Sequence, residues 1–237
     1  MAKVRFENKD CFEFLKEVPT GKVDLALLDP PYLISRSTDY MNKGDEKFHY
    51  STQFGDWDKK FDGLADVIKE SYRVLRKGGT IICFYDLWKI TTLRDYMQQA
   101  GFNKFRFIEW IKTNPVPVNS KVNYLTNTRE IAVTAVKGGK PTFHSKYDNG
   151  VYTFPIYHGK GRFHPTEKPV ALMQQLILKH SNRYDTVLDC FAGSASVGVA
   201  AISLDRNFIG CEIDKEYFRK AQARLNNTGL TFEYENT

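Results

Sequence analysis

Residues 23–28 read Val-Asp-Leu-Ala-Leu-Leu, and from Leu25 onward no polar side chain interrupts the run. A strand with one wet face alternates apolar and polar residues, so an unbroken run suits the middle of a sheet covered on both faces. Further strands are read at 3–7, 80–85, 105–111, 130–136, 186–190 and 207–212, which makes seven. Helical segments are read at 11–18, 61–76, 87–100, 169–181, 195–204 and 214–226. Such alternation predicts an α/β fold with a largely parallel sheet wrapped by helices. The 61–76 segment places Phe61, Leu64, Ile68, Tyr72 and Leu75 on one face, and Arg76-Lys77-Gly78-Gly79 is expected to close it with basic charge and a glycine cap. With 237 residues, 42% of them hydrophobic, the chain can bury one well-formed core.

The way the 23–28 strand ends is unusual. Asp29-Pro30-Pro31-Tyr32 follows it directly. Neither proline ring can donate to a strand ladder, so the strand must stop and leave an acid and an aromatic ring on a stiff loop. In open α/β sheets the C-terminal rim of the strands is where ligands bind. A capped turn with a surface tyrosine is the plainer account of Asp-Pro alone; the four residues together after a buried strand favour a site.

A second motif supports that choice. Residues 186–201 are a strand, a turn of small residues and a helix of small apolar residues, with Gly193, Ser194 and Ala195 letting a ligand approach the backbone at a helix N-terminus. About twenty residues on, the 207–212 strand ends in Glu212, an acid placed to accept hydrogen bonds from ribose hydroxyls. Asp214 suits the cap of the next helix, which frees Glu212. No GxxxxGK[ST] sequence is present, which argues against a triphosphate.

Net charge is +6, a weak indication of polyanionic partners. Cys11, Cys83, Cys190 and Cys211 are far apart and form neither CxxC nor CxxH, so buried free thiols are expected rather than a zinc site or disulfides. The charged N-terminus lacks an apolar signal core, and no stretch reaches membrane-spanning length, so a cytoplasmic protein without a membrane partner is expected. Two long polar segments, 33–60 and 137–166, break the strand–helix rhythm, and loops of that length in a compact domain are usually functional.

Taken together, Asp29-Pro30-Pro31-Tyr32 and Leu188-Asp189-Cys190-Phe191-Ala192-Gly193-Ser194-Ala195-Ser196 resemble the amino-methylating DNA methyltransferases. The catalytic motif precedes the glycine turn, as in the circularly permuted β group. His164-Pro165-Thr166-Glu167-Lys168-Pro169, residues 54–58 and residues 110–117 resemble further elements of that group, in its order. The resemblance implies a Rossmann-like, seven-stranded class I methyltransferase sheet, mostly parallel with one reversed strand, in a single domain over 1–237. It also implies S-adenosylmethionine as cofactor and transfer of its methyl group to the N6 amino group of adenine, with no metal required. Asp29, Pro30, Pro31 and Tyr32 would be catalytic: Asp29 and the Pro30 carbonyl as acceptors for the two amine N–H bonds, Tyr32 as a ring for a flipped base to stack on.

Cofactor contacts are implied for Asp10, Asp29, His164, Thr166 and Lys168, and for Asp189, Phe191, Gly193, Ser194 and Glu212. A base-clamping loop is expected at 33–60, with Arg36, Lys43 and Lys47. A small target-recognition insertion is expected near 137–163, where Lys137, Lys140, Lys146, Lys160 and Arg162 outnumber Asp148. The implied partners are double-stranded DNA, a second copy of the chain and a cognate restriction endonuclease. N4-cytosine methylation and a partner subunit with a decayed cofactor site are the alternatives. The second is prompted by Ala195, which stands where the family usually has glycine and would cost of order 1 kcal/mol if that position needs a positive φ.

Overall fold

The computed structural model describes residues 1–32, 61–115, 125–157, 159 and 162–234. The expected clamp at 33–60, the later part of 110–117 and Lys160 lie outside the described residues. Among the described residues no helix is long and apolar enough to cross a membrane.

The strands are β1 (Ala2–Asn8), β2 (Val23–Leu28), β3 (Leu75–Tyr85), β4 (Asn103–Lys112), β5 (Arg129–Val136), β6 (Val151–Phe154), β7 (Thr186–Asp189), β8 (Asn207–Glu212) and β9 (Phe232–Tyr234). They form one sheet in the order β6-β4-β5-β3-β2-β7-β8-β1-β9. β5 runs antiparallel to both of its neighbours, and every other pairing is parallel, so one strand is reversed as expected. All seven expected strands form. Among the described residues the count rises to nine because β6 and β9 add short edges, four and three residues long, too brief for a clear period-two pattern.

Among the described residues six α-helices cover the two faces: α1 (Cys11–Glu17), α2 (Leu64–Val74), α3 (Ile90–Ala100, preceded by a 3-10 turn at Leu87–Lys89), α4 (Val170–His180), α5 (Ser196–Ser203) and α6 (Lys215–Asn226). Leu25 and Leu27 of β2 with Ile82 and Phe84 of β3 face α4, α5 and α6, whereas Ala26 and Leu28 with Ile81 and Cys83 face α1, α2 and α3. The unbroken apolar run is thereby explained, since both sides of β2 are core. A register shift between Val23 and Leu25 lets Val23 join the second face out of simple alternation. All four cysteines are free and buried.

Helix α2 stops earlier than its periodicity suggests. Leu75 is already extended (φ −65°, ψ 140°), and Arg76 to Gly79 belong to β3. Gly78 (φ +80°) is therefore no helix cap. A Cβ there would lie 2.5 Å from the Lys140 carbonyl oxygen, so the glycine serves a close backbone approach inside the strand.

The candidate active site

Parallel pairing puts the functional ends together. Ala26 of β2 lies opposite Leu188 of β7, so the loop after β2 and the turn after β7 leave neighbouring strands on one rim. β8 and β1 follow on the same side, with Asn8 opposite Glu212, which brings Asp10 and Glu212 to that rim too.

Asp29 is gripped by two donors. The Tyr32 hydroxyl donates to Asp29 Oδ1 at 2.7 Å, and Lys168 Nζ donates to Oδ2. Pro30 is buried and fixes the loop between them. The Tyr32 ring meets the Tyr85 ring edge-on at 5.7 Å, and its carbonyl accepts from Lys89 Nζ at 3.4 Å. Lys168 is only 7% exposed, and its ammonium also lies 5.5 Å from the Tyr32 ring centroid and 5.3 Å from that of Phe84. Behind it stands Glu130 at the start of β5, 3.1 Å from Lys168 Nζ and 2.7 Å from Lys112 Nζ of β4. Charges therefore alternate along Asp29, Lys168, Glu130 and Lys112. Burial opposes the Lys168 charge, but the two flanking carboxylates outweigh it and hold the group protonated, well above the usual lysine range. Burial, assisted by the Glu130 charge, pushes Asp29 up against the pull of Lys168. Lys168 is thus joined to the Asp29 carboxylate, 139 positions away in the chain.

The glycine turn is built by short local bonds. Asp189 accepts from the Phe191 N–H at 3.0 Å, and burial lifts its carboxyl to about 8, so it is neutral at pH 7. Gly193 (φ +50°) donates its N–H to Glu212 Oε2 at 2.8 Å, while Glu212 Oε1 accepts from the Asp214 N–H at 2.9 Å. Asp214 itself caps α6 by accepting from Glu216 and Tyr217 N–H, so Glu212 is free of the cap as expected. A Cβ on Gly193 would sit 3.1 Å from His164 Nε2, so any side chain there would push the His164 ring back, besides straining the left-handed backbone. His164 packs edge-on to Tyr217 at 4.6 Å, and Thr166 Oγ1 lies 3.3 Å from His164 Nδ1. Burial drops His164 to about 4, which leaves it neutral at working pH. Phe191 meets the ring of Phe61 at 5.4 Å. Asp10 caps α1 through Oδ1, 2.8 Å from the Phe12 N–H. Ala195 does adopt the left-handed conformation (φ 57°, ψ 32°), and it is fully buried in the core cluster under α5.

Two contacts were not legible in the sequence. Arg224 of α6 donates to the Ser194 carbonyl at 3.0 Å and pairs with the buried Glu167 at 2.8 Å, tying the glycine turn to the 164–169 segment. Lys112 lies within the 110–117 element, but its pairing with Glu130 has no motif spacing; for Glu130 the only signal is an acid near the start of an otherwise apolar strand.

The expected recognition segment is divided by the sheet. Val136 of β5 pairs with Thr80, the residue after Gly79 in β3, so the chain leaves β5 at the rim opposite Asp29. There Lys137 donates to the Arg73 and Leu75 carbonyls and lies over the Tyr72 ring, an internal brace. β6 then runs parallel to β4 back towards the rim that holds Asp29. Asn114 is bound on both sides of its amide to the Ile156 backbone, which fits a turn-forming part better than a base contact. Trp110 is a core residue whose indole donates to the Phe154 carbonyl at 2.9 Å.

Residues 23–223 match the family model described as DNA methylase. The chain is 32% identical over 247 residues to the Type II methyltransferase M2.LlaDCHI of Lactococcus lactis subsp. cremoris, covering 95% of this chain and 90% of that protein. It is also 32% identical over 246 residues to the DNA adenine methyltransferase YhdJ of Escherichia coli K12, covering 91% and 80%. Among solved structures, the M1.HpyAVI complex with S-adenosylmethionine superposes with a TM-score of 0.73 at 31% identity, over 94% of this chain and 100% of that one. The cytosine-N4-specific PvuII methyltransferase shares the fold, with a TM-score of 0.77 at 16% identity over 98% and 89%. S-adenosylmethionine fits the rim in kind: Glu212 is oriented by two backbone donors and lies outside the helix cap, beside a turn where glycine leaves the backbone bare. By the span of the family match and the identity of its relatives, the chain belongs to the amino-methylating DNA methyltransferases.

Proposed function

We propose that this chain methylates the N6 amino group of adenine in double-stranded DNA, with Asp29 and the Pro30 carbonyl as the acceptors for the amine. One observation carries the reading: the Asp29 carboxylate stands at the end of β2, on the same rim as the glycine turn that ends neighbouring β7. Bound there, S-adenosylmethionine supplies an electrophilic methyl group.

The chain's own residues supply the rest. The amine lone pair of adenine is delocalised into the ring, and two fixed acceptors favour the tetrahedral geometry needed for attack. Both Asp29 oxygens already hold one donor, Tyr32 on Oδ1 and Lys168 on Oδ2. Each carboxylate oxygen can accept a second bond, so the amine joins an oriented group. Tyr32, partly buried against both core clusters, offers its ring to the base, which repays part of the cost of leaving the duplex. His164, neutral and packed on Tyr217, is a wall of the site rather than its base.

The family supplies DNA as the partner. A cognate restriction endonuclease belongs to this reading and is supported by the Type II relatives. A second copy of the chain is also part of it, because Lys137 is spent on internal carbonyls at the far rim and leaves fewer basic groups near the site. Tritium transfer from labelled S-adenosylmethionine into DNA, followed by nucleoside chromatography, tests the reading. Label in N6-methyladenine is expected. Label in N4-methylcytosine would change the base, and absence of both transfer and calorimetric S-adenosylmethionine binding would leave only the DNA-binding subunit with a decayed cofactor site.

A further inference from the structure

Glu130 lies on the reversed strand, away from every recognised motif, yet it is the second carboxylate on Lys168. Its Oε2 is buried and 3.1 Å from Lys168 Nζ, but outside hydrogen-bond geometry. At that distance the pair gains charge attraction with poor alignment, and a small swing of one ammonium would give a well-directed bond. Lys168 instead commits its bonds to Asp29 Oδ2 and, at 3.5 Å, to the Tyr32 hydroxyl. Lys112 steadies the other side of Glu130 at 2.7 Å.

We propose that Glu130 is a positioning residue for methyl transfer: it draws the Lys168 ammonium off Asp29 as the substrate amine takes that carboxylate, so Asp29 keeps its charge while its acceptor sites turn to the base. The resting site holds Lys168 between two carboxylates, closer to Asp29 than to Glu130. When an amine N–H binds Asp29, the Lys168 bond to Oδ2 becomes the weaker competitor, and Glu130 Oε2 is within reach of a better-directed bond. No proton moves in this exchange; one ammonium redistributes its three donors.

Among the described residues, the groups facing this row of charges come from several elements, including Lys89, whose ammonium lies 3.4 Å from the Tyr32 carbonyl. Asp29 and Tyr32 approach from the loop after β2, Lys112 from β4, and Cys83 from β3. Asp189, neutral at pH 7, lies at the end of β7, and neutral His164 lies on the segment that carries Lys168. The Glu130 charge raises Asp29 and the Lys168 charge lowers it. Removing each must therefore move the titration of Asp29 in opposite directions.

The test rests on Asp29 as the amine acceptor and reads single-turnover methylation against pH with saturating cofactor. Glu130→Gln leaves Lys168 to Asp29 alone. The rate should fall about tenfold or more through lost positioning, with the acid limb moved to lower pH and S-adenosylmethionine affinity unchanged. Lys168→Met should move the acid limb to higher pH. Lys112→Gln should do the same, because Glu130 then holds Lys168 more tightly, and it serves if E130Q does not fold. A parental rate in E130Q, or acid limbs that stay put or move the same way in E130Q and the two lysine variants, overturns the proposal. Asp29→Ala separates the failures: if D29A is inactive while E130Q behaves as the parent, the role of Glu130 falls and that of Asp29 stands; if D29A is active, the site itself is misread.

Discussion

Ala195→Gly puts the family's usual residue into the glycine turn, and the structure says it should gain almost nothing. Ala195 sits at φ 57°, ψ 32°, where an L-residue carries about 1–2 kcal/mol of strain that glycine would relieve. Against this, the methyl is fully buried, and removing it forfeits about 0.8 kcal/mol of transfer free energy. Glycine also gives the unfolded chain more freedom, costing about 0.4–1 kcal/mol. The terms cancel to within about 1 kcal/mol of zero, which for a chain of this size is a melting shift within about 4 °C. Because the methyl belongs to the core cluster rather than to the rim, S-adenosylmethionine affinity should stay within a factor of about three, under 1 kcal/mol. Urea denaturation and calorimetric titration of both proteins measure this. Stabilisation by more than about 2 kcal/mol would show that the strain is not offset by packing. An affinity gain of tenfold or more would show that the methyl reaches the cofactor.

Further outcomes follow from the same geometry. Asp189→Asn keeps an acceptor for the Phe191 N–H and removes a carboxyl that titrates near 8 folded against 3.8 in its ordinary state. The folded parent holds a proton that the unfolded chain releases, so parental stability should fall between about pH 4 and 8, and the advantage of D189N over it should widen across that window. Parallel urea-stability profiles for the two proteins would refute the burial argument. Tyr32→Ala should slow methylation more than Tyr32→Phe, since Phe loses only the hydroxyl's bonds to Asp29 and Lys168 while Ala also loses the stacking ring; equal single-turnover losses would remove stacking from the account. Arg224→Met strands the Glu167 carboxylate, whose side chain is 1% exposed. It should cost roughly 2–4 kcal/mol in denaturation, below the fully buried range because Arg224 is itself 23% exposed. A loss under about 0.5 kcal/mol would show that the pair does not tie the turn down.

Much of this was legible in the chain because it follows from local physics. The apolar run of β2 announced burial on both faces, and the two prolines announced where it stops. Asp214 was recognisable as a helix cap, which separated it from Glu212. The glycine cap expected at Arg76–Gly79 failed for a nonlocal reason: the backbone near Lys140 needs to approach Gly78, and strand pairing wins over helix periodicity. β6 and β9 were missed because three or four residues carry too little pattern. The pairing of Lys168 with Asp29 joins residues 139 positions apart, and Glu130 reaches it only through the reversed strand; no spacing rule encodes either.

The central claim is that the Asp29 carboxylate holds the amine for attack. The direct measurement is single-turnover methylation of duplex DNA by Asp29→Ala, paired with calorimetric titration of S-adenosylmethionine into the same protein. The account predicts cofactor binding within a few-fold of the parent, under about 1 kcal/mol, and no methyl transfer. Methylation by D29A at close to the parental rate would contradict it.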